Sequence, residues 1–208
     1  GVLSTKDNAF GCFLGELAGS GCELQPPNGK RWGNAGLING PRRSIAWRIL
    51  DAQFFGMAQP RRRVFVVASA RDGFDPGQVL FEFEGVRRDN RPRCEEEQAC
   101  APFTASSFAG YKNRIGTLTA SSGDVGGGSD TIIGIDGRAR KLTPVENERQ
   151  QGFPDNHTQV PWRGKPAAEC PDGPRYKAIG NSKAVPVIRW VGQRILDHLA
   201  ALGNTSSN

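Results

Sequence analysis

Residues 59–63, Gln-Pro-Arg-Arg-Arg, place three arginines directly before an uninterrupted apolar run at residues 64–68. In an extended chain, Arg61 and Arg63 point to one side and Arg62 to the other. Two guanidiniums at the mouth of a buried strand can hold a phosphate and the polar edge of a base. Taken alone, three arginines in a row are more typical of a solvated surface. The apolar run predicts a strand covered on both faces.

Residues 140–154 specify one short helix at both ends. Thr143 and Glu146 form a capping box, and Pro144 occupies the first helical position. Gly152 suits the left-handed residue that follows the last turn, and the proline two residues later prevents continuation. The pattern therefore predicts a helix that begins after Thr143 and ends before Gly152.

Both segments, and a third at residues 178–186, resemble sequence motifs of the DNA cytosine-5 methyltransferases. Residues 59–68 are similar to the eighth motif of that family, a Gln-x-Arg-x-Arg that leads into a strand. Residues 140–154 and 178–186 are similar to the ninth and tenth motifs, and their order and separation also fit.

The resemblance implies chemistry on a cytosine that is swung out of the duplex into a pocket. In this family a cysteine thiolate attacks C6, a glutamate contacts ring N3, and C5 takes a methyl group from S-adenosylmethionine. Gln59, Arg61 and Arg63 are then the catalytic-pocket residues of this chain. The resemblance places an arginine on cytosine O2 and on the backbone phosphate, and leaves open which arginine makes which contact.

Candidate DNA contacts also follow from the resemblance. Thr117, Leu118 and Thr119 are similar to a Thr-Leu pair that approaches the DNA near the flipped base, although Thr-Leu-Thr is also an ordinary strand sequence. Arg140 is a further candidate for binding DNA. For Arg140 and Arg149 alike, a role in organising the recognition domain is favoured over contact with substrate.

The implied cofactor is S-adenosylmethionine, and the candidate residues for binding it are Asn181 and Ser182. They match a Gly-Asn-Ser that approaches the cofactor at a helix start, where free amides and the helix dipole favour such contacts. Lys183 stands where the family usually has a small or apolar residue.

The expected fold class is α/β, the C-terminal portion of a Rossmann-like methyltransferase sheet with a small, loop-rich target-recognition domain. Helical spacing of apolar residues covers 8–18 and strand alternation covers 44–52. In the family, the strands at 44–52 and 64–68 are neighbours in a mostly parallel sheet. The expected divisions are the C-terminal half of the catalytic domain (1–70), the recognition domain (71–139), a return to the catalytic domain (140–202) with a closing helix at 185–200, and a frayed tail (203–208).

The carriers of the family's chemistry are missing from this sequence. None of the five cysteines follows a proline, the single Glu-Asn pair continues with glutamate, and no Phe-x-Gly-x-Gly loop is present. All three motifs lie upstream of the eighth motif in the family, which predicts a C-terminal fragment that is inactive alone and needs the missing N-terminal half as partner. A non-catalytic DNA-binding remnant and one half of a split enzyme are the alternatives.

Composition fits a DNA partner. The 208 residues carry a formal net charge of +6 and a pI near 9.3, as is common among proteins that bind nucleic acid. Two histidines and five cysteines without Cys-x-x-Cys spacing argue against a zinc site. The odd cysteine count, without a signal-peptide pattern or a long apolar run, predicts a cytoplasmic protein with no membrane partner.

Overall fold

A computed structural model describes residues 2–27, 29, 31–82, 104–106, 110–112, 132–135 and 138–205. The chain divides into two compact units. Unit 1 comprises Gly1–Leu50, Arg62–Arg87 and Arg189–Asn208, and unit 2 comprises Asp51–Arg61 and Arg88–Ile188. The boundaries of these units differ from the predicted domain boundaries at residues 70 and 139. The units are defined by contacts and the predicted domains by function, so the predicted boundaries remain predictions.

Unit 1 contains a three-stranded sheet in the order β1-β2-β3. Its strands are β1 (Ala35–Asn39), β2 (Ser44–Asp51) and β3 (Arg62–Ser69), so both predicted strands are confirmed. Ala35 lies opposite Arg48 and Asn39 opposite Ser44, which makes the β1–β2 pair antiparallel. The segment 40–43 between them is too short for the crossover that a parallel pair needs. This pair departs from the mostly parallel sheet that the resemblance implied.

Helix α1 (Ala9–Ala18) packs into an aromatic core within unit 1. The rings of Phe10, Trp32 and Trp47 meet edge to face, with centroids 5.6–5.8 Å apart. Each buried indole has an acceptor, since Trp32 donates to the Asn8 side chain at 2.9 Å and Trp47 to the Gly33 carbonyl at 3.1 Å. The predicted amphipathic helix is therefore confirmed as a core element.

Strand β3 is less buried than the apolar run predicted. Val64, Val66 and Ala68 pack against the aromatic core from one face but are only partly buried. On the other face Val67 is buried and Phe65 is not. Because β3 is the edge strand of the described sheet, the prediction of full cover on both faces is wrong for these residues.

Helix α2 (Pro76–Leu80) is held at its end by two arginines of unit 1. Arg194 donates to the carbonyls of Gln78, Val79 and Phe81, and Arg48 donates to that of Leu80 at 2.8 Å. These cations satisfy carbonyls that a helix end otherwise leaves unpaired.

The closing helix α5 (Val185–Thr205) is longer than the predicted 185–200 and takes in the first residues of the expected frayed tail. Its residue His198 accepts the Asp75 amide at 3.0 Å within unit 1. Across the described part of the chain, no helix combines the length and the apolar character needed to cross a membrane.

Unit 2 contains two short antiparallel pairs, β4 (Thr104–Ser106) with β5 (Gly110–Lys112) and β6 (Ile132–Ile135) with β7 (Arg138–Lys141). Helices α3 (Pro144–Gln151) and α4 (Asp172–Asn181) follow.

The ends of α3 are as the sequence predicted. The Thr143 amide donates to the Glu146 carboxylate at 2.7 Å, and the Thr143 hydroxyl accepts the Glu146 amide at 3.3 Å. Gly152 adopts φ 78°, the left-handed conformation expected after the last turn. Both the capping box and the glycine stop are therefore confirmed.

We expect Leu14→Ala to lower the free energy of unfolding of unit 1 by about 2–5 kcal/mol, because it leaves a cavity in the core. Leu14 is fully buried, whereas Phe13 on the same helix is 48% exposed. Phe13→Ala is the matched control and is expected to cost clearly less. Urea denaturation followed by tryptophan fluorescence measures both, and equal losses would contradict the assigned core.

Candidate functional site

Arg61 joins the eighth-motif segment to the Gly-Asn-Ser segment within unit 2. Its side chain is 3% exposed, and its Nη2 donates to the carbonyls of Gly180 and Ser182, both at 2.6 Å. The backbone of Arg61 is also fixed, since its amide donates to the Asp51 carboxylate at 2.9 Å and its carbonyl accepts the Ala52 amide at 3.1 Å. The guanidinium thus holds together two chain segments that lie 119 or more residues apart.

Gln59 makes the second connection, from the same segment to α3. Its side chain is fully buried, and its Nε2 donates to the Gln150 carbonyl at 2.9 Å. Ala58 packs against Leu142 and Ile179 beside these bonds. The segments that resemble the eighth, ninth and tenth motifs therefore meet at one place in unit 2.

The structure places the three predicted pocket residues in different environments. Gln59 and Arg61 are buried and bonded to backbone carbonyls. Arg63 is partly exposed, and its Nη1 donates to the Arg62 carbonyl at 2.9 Å, while the Arg62 side chain is exposed. Contact of any of these side chains with a nucleotide stays a prediction.

Asn181 and Ser182 lie at the end of a helix, which corrects the expectation of a helix start. Asn181 is the last residue of α4 and Ser182 its C-cap, whereas α5 begins at Val185. The Ser182 amide donates to the carbonyls of Ala178 and Ile179, each at 3.1 Å, and its hydroxyl donates to that of Ile179 at 2.6 Å. The donors of Ser182 are thus used inside the chain, whereas the side chains of Asn181 and Lys183 on either side of it are exposed.

Arg140 makes a forked ion pair with Glu146 in the first turn of α3. Its two terminal nitrogens donate to the two carboxylate oxygens at 2.8 and 2.7 Å. The Arg140 hydrogen bonds lower the pKa of Glu146 to about 2, helped by those from Thr143. This geometry agrees with the organising role favoured for Arg140. The candidate DNA contacts Thr117, Leu118 and Thr119 lie outside the described residues.

A buried ion pair in α3 has no counterpart in the sequence-based expectations. Glu148 is fully buried and pairs with Arg175 of α4 at 3.3 Å. Its carboxylate also accepts the amides of Asn156 and Thr158, both at 2.7 Å, and the Thr158 hydroxyl. Burial raises the pKa of Glu148, but these hydrogen bonds outweigh that effect, so its pKa is lowered.

The signal for this network was present but ambiguous. Glu148 belongs to a run of charged and amide residues that is typical of a solvated helix. In the structure Asn147, Glu148 and Gln151 are all buried, so the polar face of α3 points inward. Among the described residues, no group of three or more His, Cys, Asp and Glu side chains could hold a metal ion.

A family model described as C-5 cytosine-specific DNA methylase matches residues 102–197. Among curated relatives, a DNA N-6-adenine-methyltransferase of Escherichia phage P1 is 31% identical over an alignment that covers 94% of this chain and 44% of that protein. Type II methyltransferase M2.BsuMI of Bacillus subtilis is 27% identical, with 72% of this chain and 39% of the relative covered. Type II methyltransferase M.HpaII of Haemophilus parainfluenzae is 43% identical over 30% of this chain and 15% of the relative.

This chain spans less than half the length of each of these three relatives. The phage relative is named for an adenine activity, whereas the matched family is cytosine-specific. The matched region contains two of the three motifs that meet at Arg61 and Gln59. By this match and these relatives, the chain is similar to C-5 cytosine-specific DNA methylases over residues 102–197 and to DNA methyltransferases over most of its length.

Proposed function

We propose that this chain supplies the eighth-to-tenth-motif part of a DNA (cytosine-5)-methyltransferase that acts on a flipped cytosine. The observation that carries the proposal is the convergence of the three motif segments in unit 2. Gln59 bonds to α3 and Arg61 bonds to the Gly180–Ser182 carbonyls. Three segments so far apart in sequence are held by buried polar bonds, as a shared site requires.

Within that site, we assign Arg61 as a positioning residue for the Gly-Asn-Ser segment. Its two bonds fix the backbone on either side of Asn181. The exposed Asn181 amide offers both a donor and an acceptor to a polar ligand. This donor set fits S-adenosylmethionine, which supplies the methyl group when bound. Arg63, which is only partly buried, is the arginine assigned to the extruded base.

This chain also needs a partner that carries the chemistry. The sequence has no Pro-Cys for the nucleophile and no Glu-Asn-Val for the glutamate. We therefore assign the nucleophile, the glutamate and the Phe-x-Gly-x-Gly cofactor loop to the missing N-terminal half of the enzyme. Duplex DNA is the substrate, in keeping with a basic chain. The absence of the nucleophile favours one second candidate, a non-catalytic DNA-binding role.

The first experiment separates these two candidates. Purified chain, labelled S-adenosylmethionine and duplex DNA are expected to yield no labelled 5-methylcytosine, because no thiolate is placed to attack C6. Adding a polypeptide that carries the three missing motifs should restore labelling. Label produced by the chain alone would contradict the partner requirement. Label in N6-methyladenine would contradict the assigned base, and DNA binding without labelling under any complementation would favour the non-catalytic role.

Arg61→Ala tests the positioning role. The substitution leaves the Gly180 and Ser182 carbonyls without their charged donor, and hydrogen bonds to charged groups contribute about 1.5–3 kcal/mol. We expect a loss of this order in the free energy of unfolding, with faster amide hydrogen exchange concentrated at residues 178–186. Arg62→Ala, at an exposed neighbour, should change the free energy of unfolding by about 0.5 kcal/mol or less. Uniformly faster exchange along unit 2 would show that Arg61 stabilises the unit without positioning this segment.

Arg63→Ala in the complemented enzyme tests the assignment of the base contact. Loss of a charge-assisted contact to the extruded cytosine should lower methylation about tenfold to a hundredfold. Arg63→Lys should rescue poorly, because an ammonium cannot reproduce the planar fork. Arg62→Ala is the control and should cost far less. Equal losses from the two alanine variants at unchanged melting temperature would reject the assignment to Arg63.

A further inference from the structure

A tight basic turn projects from unit 2 between α3 and α4. The Trp162 amide donates to the Lys165 carbonyl at 3.1 Å, and the Lys165 amide donates back to the Trp162 carbonyl at 3.0 Å. The two central residues, Arg163 and Gly164, have φ of 49° and 82°. Positive φ at both central positions is typical of a type I′ turn. All residues from 161 to 166 are exposed.

Arg163 is an unfavourable residue for the backbone conformation that it adopts in this turn. A left-handed conformation is strained for a residue with a long side chain, and asparagine or glycine is the usual solution at this position. Arg163 therefore does not improve the turn itself. Residues kept in strained conformations cluster at sites that contact ligands. The strained Arg163 is therefore a candidate for contact with a ligand.

The chain segment before the turn is held in place by buried polar contacts. The buried Glu148 carboxylate accepts the amides of Asn156 and Thr158, and Arg175 closes the network by pairing with Glu148. This network fixes the chain shortly before the turn begins. The side chains of the turn are thus presented by an anchored loop, which lowers the entropy cost of binding.

The exposed side chains of the turn combine an aromatic ring with cations. The Arg163 guanidinium lies over the Trp162 indole, 5.6 Å from the ring centroid, and the indole is 36% exposed. Lys165 is 3.7 Å from Glu169, a pair that is exposed on both sides. Within the described parts of the chain, Arg163 has no carboxylate at ion-pairing distance. A cation that no described carboxylate pairs with, beside an exposed aromatic ring, matches the chemistry of nucleic-acid contacts.

We propose that the turn Trp162–Lys165 is a DNA-contacting element, in which Arg163 and Lys165 neutralise backbone phosphates and Trp162 packs against a sugar or base edge. The proposal rests on the proposed function, since it takes duplex DNA as the partner. It goes beyond that function because the turn lies outside the three motifs and would add a contact that they do not supply.

Arg163→Gly provides the sharpest test, because it removes the charge and relieves the strained backbone together. The variant should melt at the same temperature as the parent chain or above it. Its Kd for a fluorescein-labelled duplex, measured by anisotropy at low salt, should rise about threefold to tenfold, and the log-log salt slope should fall in magnitude by about 0.9. Trp162→Ala should weaken binding about fivefold or more without the change in slope.

Arg189→Ala is the matched control, since it removes one positive charge from an exposed position on α5. An equal loss of affinity in this control would show that only net charge matters and would overturn the proposal. Parent-like Kd and slope in Arg163→Gly and Trp162→Ala would overturn it too, while leaving the proposed function intact. A lower melting temperature in Arg163→Gly would contradict the turn geometry. No DNA binding by the parent chain at low salt would reject both the turn and the DNA contact of the proposed function.

Discussion

The arrangement of the candidate site depends on one buried cation, the guanidinium of Arg61. Removing a charge from water is costly, and the cost is offset only where good hydrogen bonds replace hydration. Two backbone carbonyls at 2.6 Å, from Gly180 and Ser182, provide such bonds. Because backbone atoms are the acceptors, the contact constrains the path of the chain and is insensitive to the side chain at position 181.

Helix α3 contributes to the candidate site through a polar face that points into unit 2. Its buried Glu148 is compensated by Arg175 and by amides of the following loop. Gln59 bonds to the carbonyl of Gln150 near the end of the same helix. A helix of this composition gains little from apolar burial, so its place in unit 2 is set by directional bonds. Such bonds specify one arrangement more strictly than apolar packing does.

The sequence predicted what short-range rules control. The capping box of Thr143 and Glu146 and the left-handed Gly152 are confirmed, because each depends on residues within one or two helical turns. Helix α1 and strands β2 and β3 are also confirmed, since periodic apolar spacing marks their buried faces. Local composition decides these features, and little in the rest of the chain can change them.

Long-range contacts set the features that the sequence did not reveal. Arg61 was expected to face a ligand with Arg63, and the structure buries it against carbonyls more than a hundred positions away. Strand alternation predicts the side to which an arginine points, but it does not predict which groups the side chain contacts on that side. The same limit applies to Ser182, whose place at the end of α4 depends on a preceding helix, residues 172–181, that lacks a side-chain N-cap and a clear apolar stripe.

These long-range bonds divide the residues of the motif segments into buried structural residues and exposed ones. Residues that resemble a catalytic motif are not all placed to touch substrate, since Gln59 and Arg61 are buried while Arg62 and Arg63 keep some exposure. A buried, charged residue of this kind fixes the geometry of other groups, here the backbone around Asn181. The same logic extends to Glu148, which fixes the loop that leads to the Trp162–Lys165 turn. Buried polar residues of the motif segments thus fix the backbone, and the exposed residues beside them are the ones that we propose contact DNA and cofactor.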